Sequence, residues 1–108
     1  MTVDKLGVMR DPADIECWLT DMDGVLVHEN HEVPGASDLC NRSVGTSKRV
    51  LVRTHNSIFT PRDLAARMQG SGLTVPEDNI WTSALATAHF QADQQPGARL
   101  YVIGEAGL

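Results

Sequence analysis

Apolar residues fall in short runs separated by polar, Gly- and Pro-containing stretches, and their spacing predicts the elements. Residues 1–14 are polar and carry the turn signal Asp11-Pro12. Ile15 to Leu19 is short, apolar-rich and ends in Thr20-Asp21, the pattern of a buried strand. Gly24, a polar stretch from His28 to Glu32, and Pro34-Gly35 follow, and a weakly amphipathic helix is read from near Ala36. Val50 to Thr54 is a clearer strand. The next helix is well signalled. Thr60 can cap it, Pro61 suits the first helical position, and Asp63 stands where a capping-box acid would. Phe59 and Leu64 flank the cap at staple spacing, and Gly70 and Gly72 end the helix. Ile80-Trp81 predicts a short strand. Thr82 or Ser83 then caps a helix with Leu85, Ala88 and Ala92 on one face, and Pro96-Gly97 stops it. Leu100 to Ile103 reads as another buried strand.

Strands alternating with helices predict an α/β fold with a parallel sheet, because parallel strands need crossover connections. Residues 1–14 are assigned to an N-terminal tail and residues 15–108 to one partial, Rossmann-like core. With 108 residues the chain makes one domain at most, with a small core.

Composition narrows the functional classes. Hydrophobic residues make up 42% and charged residues 21%, an ordinary globular balance. The net charge of −5 and the scattered basic residues exclude a basic stripe for nucleic acid. No apolar stretch approaches the roughly 18 residues of a membrane span, and the first residues have no apolar signal core, so a cytoplasmic location is expected. Cys17 and Cys40 give neither a disulfide framework nor metal spacing, and Cys17, in an apolar run, reads as a small buried thiol.

The candidate chemistry lies at two strand ends, where open parallel sheets bind ligands. The first reads Asp21-Met22-Asp23-Gly24-Val25-Leu26 and the second Thr54-His55-Asn56-Ser57. An Asp at a strand end can attack phosphorus or hold Mg2+, and a second Asp two residues on can move a proton. Gly24 permits a sharp turn that leaves backbone N–H groups facing an anion. Thr54 and Asn56 offer donors to phosphate oxygens. Taken singly, Asp-x-Asp-Gly or Thr-x-Asn is an ordinary solvated turn. Their joint placement, each after an apolar run with a crossover between, is what carries weight.

Trp18-Leu19-Thr20-Asp21-Met22-Asp23-Gly24-Val25-Leu26 resembles the first signature motif of the haloacid dehalogenase superfamily, and Thr54-His55-Asn56-Ser57 its second. Pro34-Gly35-Ala36, Thr82-Ser83-Ala84 and Tyr101-Val102-Ile103-Gly104-Glu105 are similar to its NagD-like subfamily, and the resemblance runs from residue 15 onward. It implies a core that is a three-layer α/β/α sandwich when complete, and a Mg2+-dependent phosphatase acting on small phosphorylated metabolites through an aspartyl-phosphate. By resemblance Asp21 is nucleophile and metal ligand, and Asp23 is general acid/base with its backbone carbonyl on the metal. Thr54, His55, Asn56, Met22 and Gly24 bind phosphate. An acid at Asp23 favours phosphoryl chemistry over dehalogenation, because an alkoxide leaving group takes a proton and halide does not.

The chain also departs from the pattern. His55 stands where the subfamily has Asn, and Arg53 puts a charge into a strand that is normally apolar there. The cap, a phosphate-steadying lysine and a further acidic motif would follow Leu108. A fragment is therefore expected, with the strand of Asp21 left as an apolar edge that promotes self-association. One rival is a non-catalytic phosphate- or partner-binding remnant. Another is a nucleotide-sugar transferase with a metal-binding Asp-x-Asp, against which the Thr54 cluster argues. The residues His28, Glu29, His31 and Glu32 lack zinc-helix spacing and read as a solvated loop.

Overall fold

The computed structural model describes residues 2–3, 9–43 and 46–108. Thr2–Val3 (β1) and Met9–Arg10 (β2) form a small antiparallel pair inside the segment read as a tail. The main sheet has three parallel strands, Cys17–Asp21 (β3), Arg49–Thr54 (β6) and Ile80–Thr82 (β7), in the order β3-β6-β7. Between β3 and β6 come Val27–His28 (β4), His31–Glu32 (β5) and the helix Ala36–Ser43 (α1). Pro61–Gly70 (α2) connects β6 to β7, and Ser83–Gln94 (α3) follows β7. Each strand-to-strand crossover is thus helical, as parallel pairing demands.

The helix signals act as read. Thr60 Oγ1 accepts from Asp63 N at 3.2 Å, with Pro61 as the first helical residue. At the other end Leu73 N donates to Met68 O (2.9 Å) and Gly72 N to Gln69 O (3.0 Å), with Gly72 at φ +91°. That is a Schellman ending, which a left-handed glycine permits. Thr82, not Ser83, caps α3, accepting from Leu85 N at 3.2 Å. The weakly patterned helix near Ala36 also forms. Ala36 and Cys40, four residues apart, are buried, and the Glu32 carboxylate accepts from Ser37 N at 2.8 Å. An acid at a helix N-terminus satisfies an otherwise orphaned donor.

The core lies on one face of the sheet. Val52 and Ile80 point into it and meet Leu26, Leu64, Met68 and Leu73. The other face is open. Burial alternates along β3 so that Cys17, Leu19 and Asp21 are exposed while Trp18 and Thr20 are partly covered, and Leu19 is 69% exposed. Cys17 is therefore not the buried thiol expected from its apolar neighbours; Cys40 is buried instead.

Two further expectations are corrected. The stretch His28 to Glu32 is not an irregular loop. Val27–His28 and His31–Glu32 pair as a hairpin turning through Glu29 (φ 49°) and Asn30 (φ 65°), both left-handed as a two-residue hairpin turn requires. Leu100 to Ile103 is not a strand: it pairs with nothing among the described residues, and Tyr101 is 94% exposed. Apolar composition alone does not supply the partner that makes a strand.

Candidate active site

β3 ends at Asp21 and β6 at Thr54. In the parallel register Asp21 stands opposite Arg53, so the two strands deliver their polar ends to the same edge of the sheet. Asp21 is exposed; its Oδ1 accepts from Met22 N at 2.9 Å, and the Thr20 hydroxyl donates to its carbonyl at 2.9 Å. Beyond it the chain folds back sharply. Leu26 N and Val27 N both donate to Met22 O, at 2.9 and 3.2 Å, and Gly24 N donates to Val27 O at 2.8 Å. Gly24 sits at φ +79° with open space around the position a Cβ would take, so the need for glycine is backbone strain, not crowding. Asp23 projects from this turn, exposed.

The second strand end is a chain of local bonds. Thr54 is 2% exposed and its Oγ1 accepts from Asn56 N at 3.1 Å. Asn56 Oδ1 accepts from Ile58 N (3.1 Å) and Phe59 N (3.4 Å), an Asx turn that leads into the Thr60 cap. His55 is exposed; its carbonyl accepts from the Ser83 hydroxyl at 3.2 Å, and its Nε2 accepts from Arg53 Nη2 at 3.3 Å.

Two clefts flank the Thr54–Asn56 segment. One, of about 170 Å3, lies between the hairpin and α2, with Asp23, Asn56, Asn30 and Arg67 among its walls. The other is shallower, about 440 Å3, and is lined by Arg53, Thr54, His55, Trp81 and Ser83. The sequence-derived candidates thus share one edge of the sheet but divide between two clefts, and Asp21 lines neither. The N–H groups of Met22 and Gly24, expected to face an anion, are bonded within the loop.

Sequence reading missed three features. The hairpin is tied to α2: the Ser71 hydroxyl donates to Asn30 O at 2.8 Å, and Arg67 Nη2 to Asn30 Oδ1 at 3.5 Å. Arg67 also lies over the Phe59 ring, 4.2 Å from its centre. Glu32 is taken up by the α1 cap, and hydrogen bonding to Ser37, from its side chain first and then from its backbone N–H, holds the carboxyl below the usual value. The Cys40 thiol is pushed up, first by burial and then by the nearby Glu32 charge, which keeps it protonated and inert. Among the described residues no three His, Cys, Asp or Glu side chains gather as a metal cluster, so His28, Glu29, His31 and Glu32 form none. The Asp21 carboxylate and the Asp23 backbone carbonyl offer hard oxygens, which suit Mg2+, an ion commonly held by one or two carboxylates with waters and substrate oxygens.

Comparison with known proteins places this geometry. The model of haloacid dehalogenase-like hydrolases matches residues 18–108. A dihydroxyacetone phosphatase of Corynebacterium glutamicum is 50% identical over 91 residues, covering 84% of this chain and 33% of that protein. The structure of NagD from Escherichia coli K-12 superposes with a TM-score of 0.78 at 36% identity, over 86% of this chain and 37% of that one. A glycerol phosphate phosphatase from Mycobacterium tuberculosis, solved with magnesium, gives a TM-score of 0.75 at 28% identity, over 88% of this chain and 28% of that one. The chain spans about a third of the length of the curated relatives it matches.

Proposed function

The chain belongs to the haloacid dehalogenase-like hydrolases, and from that premise we propose that it carries the nucleophile and acid/base segment of a Mg2+-dependent phosphomonoesterase. The observation that carries the reading is the placement of Asp21: exposed, at the end of a parallel strand, followed at once by a tight Gly24 turn that presents Asp23. An Asp21 carboxylate oxygen attacks phosphorus, and the bond from phosphorus to the ester oxygen breaks. Asp23 gives the departing alkoxide its proton. Asp23, now a carboxylate, takes a proton from water as that water attacks phosphorus, and the bond to Asp21 breaks to release phosphate. Asn56 contributes through its amide nitrogen, since its Oδ1 is held by the Asx turn. The Asp21 carboxylate and the Asp23 backbone carbonyl would hold Mg2+, whose charge would offset that of the phosphoryl oxygens when bound. Small phosphorylated metabolites are the substrate class, in keeping with the relatives named for dihydroxyacetone and acid sugar phosphatases.

The test is chemical trapping. The protein is mixed with a radiolabelled phosphomonoester and Mg2+, quenched in acid and digested. Label on the peptide holding Asp21, labile to alkali and lost in Asp21→Asn, is expected. Turnover retained in Asp21→Asn, with deamidation excluded, overturns the reading.

A further inference from the structure

We propose that Arg53 is an anion-binding residue for the phosphoryl group at Asp21, positioned there by His55; the inference rests on the reading of Asp21 as nucleophile. The argument begins with register. Asp21, Arg53 and Trp81 are successive partners across β3, β6 and β7. Side chains at matched positions of adjacent parallel strands leave the same face of a sheet. All three are exposed, whereas their strand neighbours Thr20, Val52, Thr54 and Thr82 face the covered side. The guanidinium stem and the carboxylate stem therefore rise side by side, about one strand spacing of roughly 4.8 Å apart.

Two opposite charges so placed would ordinarily pair across the strands. Here the hydrogen bond of Arg53 goes elsewhere: Nη2 reaches His55 Nε2 at 3.3 Å. His55 is two residues further along, past the end of β6, and its carbonyl is fixed by the Ser83 hydroxyl. The guanidinium is thus drawn toward the carboxyl end of the sheet, where ligands of parallel sheets bind, and leaves the Asp21 carboxylate with the Met22 N–H as its partner. It is held there by one bond, and a guanidinium carries five N–H donors in a planar fork suited to phosphate oxygens.

The other candidate donors strengthen the assignment. Met22 N and Gly24 N are bonded inside the loop, and Thr54 is buried. Arg53 is the exposed cation beside Asp21, and a phosphoryl group under attack by a carboxylate needs a positive charge next to its oxygens. An exposed Arg serving only to balance Asp21 would point at it, and this one does not.

The experiment uses inorganic phosphate as probe, so that binding is read separately from turnover. Phosphate is titrated into 15N-labelled wild type, Arg53→Gln and Arg53→Lys, following amide shifts and the Arg53 side-chain Nε–H. A charge-assisted hydrogen bond corresponds to roughly a ten- to hundredfold change in affinity. Loss of that size in Arg53→Gln, partial recovery in Arg53→Lys, and a shifted Arg53 Nε–H in the wild type are the expected results. Because Arg53 is exposed, unchanged spectra away from the site confirm that the variants fold. Equal phosphate affinity in wild type and Arg53→Gln, or no phosphate binding by the wild type, overturns the proposal. Either result leaves the role of Asp21 standing if the trapping experiment succeeds, and a failed trapping experiment with Arg53-dependent phosphate binding separates the two the other way.

Discussion

The Ser71 hydroxyl donates to the carbonyl oxygen of Asn30 at 2.8 Å, joining the end of α2 to the tip of a hairpin forty-one residues earlier in the chain. The base of that hairpin is held differently. Leu26 is 1% exposed and Val27 is also buried, and burying one such side chain is worth about 1.5–3 kcal/mol. A single neutral hydrogen bond is worth about 0.5–1.5 kcal/mol. The base is therefore the firm part and the tip the releasable part.

Ser71→Ala is accordingly expected to cost about 0.5–1.5 kcal/mol and to raise hydrogen exchange at the β4–β5 amides, while protection of β6 stays at its wild-type level. Amide exchange read by mass spectrometry or NMR checks both halves. A uniform rise across the main sheet would show that the contact supports the whole domain rather than the tip.

Asp23→Asn is expected to slow hydrolysis of alkyl phosphates by about 10²–10⁴-fold. Nitrophenyl phosphate, whose leaving group needs no proton, should suffer less where formation of the aspartyl-phosphate limits the rate. The structure places Asp23 exposed on the turn after Asp21, next to the cleft under the hairpin, where a leaving group has room. Equal losses for both substrates under that condition would remove Asp23 from the leaving-group role.

Glu32 gives a pH dependence whose sign is fixed. Its carboxyl is held below the usual 4.5 by hydrogen bonding to Ser37 at the start of α1. A depressed carboxyl stabilises the fold above its unfolded value, and that contribution fades as pH falls through the folded one. Thermal denaturation of Glu32→Gln should therefore match the wild type's pH profile above about pH 5 and show a shallower loss of stability as pH falls below the usual 4.5. Parallel profiles would show that the cap does not depend on charge.

Much of this architecture was legible in the chain, for identifiable reasons. α2 carries its own punctuation in Thr60, Pro61 and Gly72, and each acts locally. β3 and β6 are short apolar runs ending in polar residues, and their polar ends drew attention to Asp21 and Thr54. The hairpin was hidden because His28, Glu29, Asn30, His31 and Glu32 have no apolar alternation, and their pairing rests on turn geometry and on α2 far away. The exposure of Cys17 is not legible in its neighbours, because an apolar run does not say which side of a strand is covered. The position of Arg53 beside Asp21 is a matter of register, a relation between strands that neither strand encodes alone.

The open face of the sheet leads to the last expectation. Leu19 is 69% exposed in the middle of β3, and β3 ends the strand order among the described residues. One edge of an apolar strand is thus available to another chain, the situation that charged residues on edge strands normally prevent. Leu100, Val102 and Ile103 add further exposed apolar surface. The 108-residue polypeptide is therefore expected to self-associate at concentrations where a monomer with a covered sheet would not. Leu19→Lys places a charge on that face without touching the core, because Leu19 points away from it. Light scattering should show a smaller mean mass for Leu19→Lys than for the wild type, with unchanged far-ultraviolet circular dichroism. If the mass instead falls with Tyr101→Lys and not with Leu19→Lys, association runs through the residues near Leu100. A wild type that stays monomeric to high concentration would show that the exposed β3 edge is tolerated as it stands.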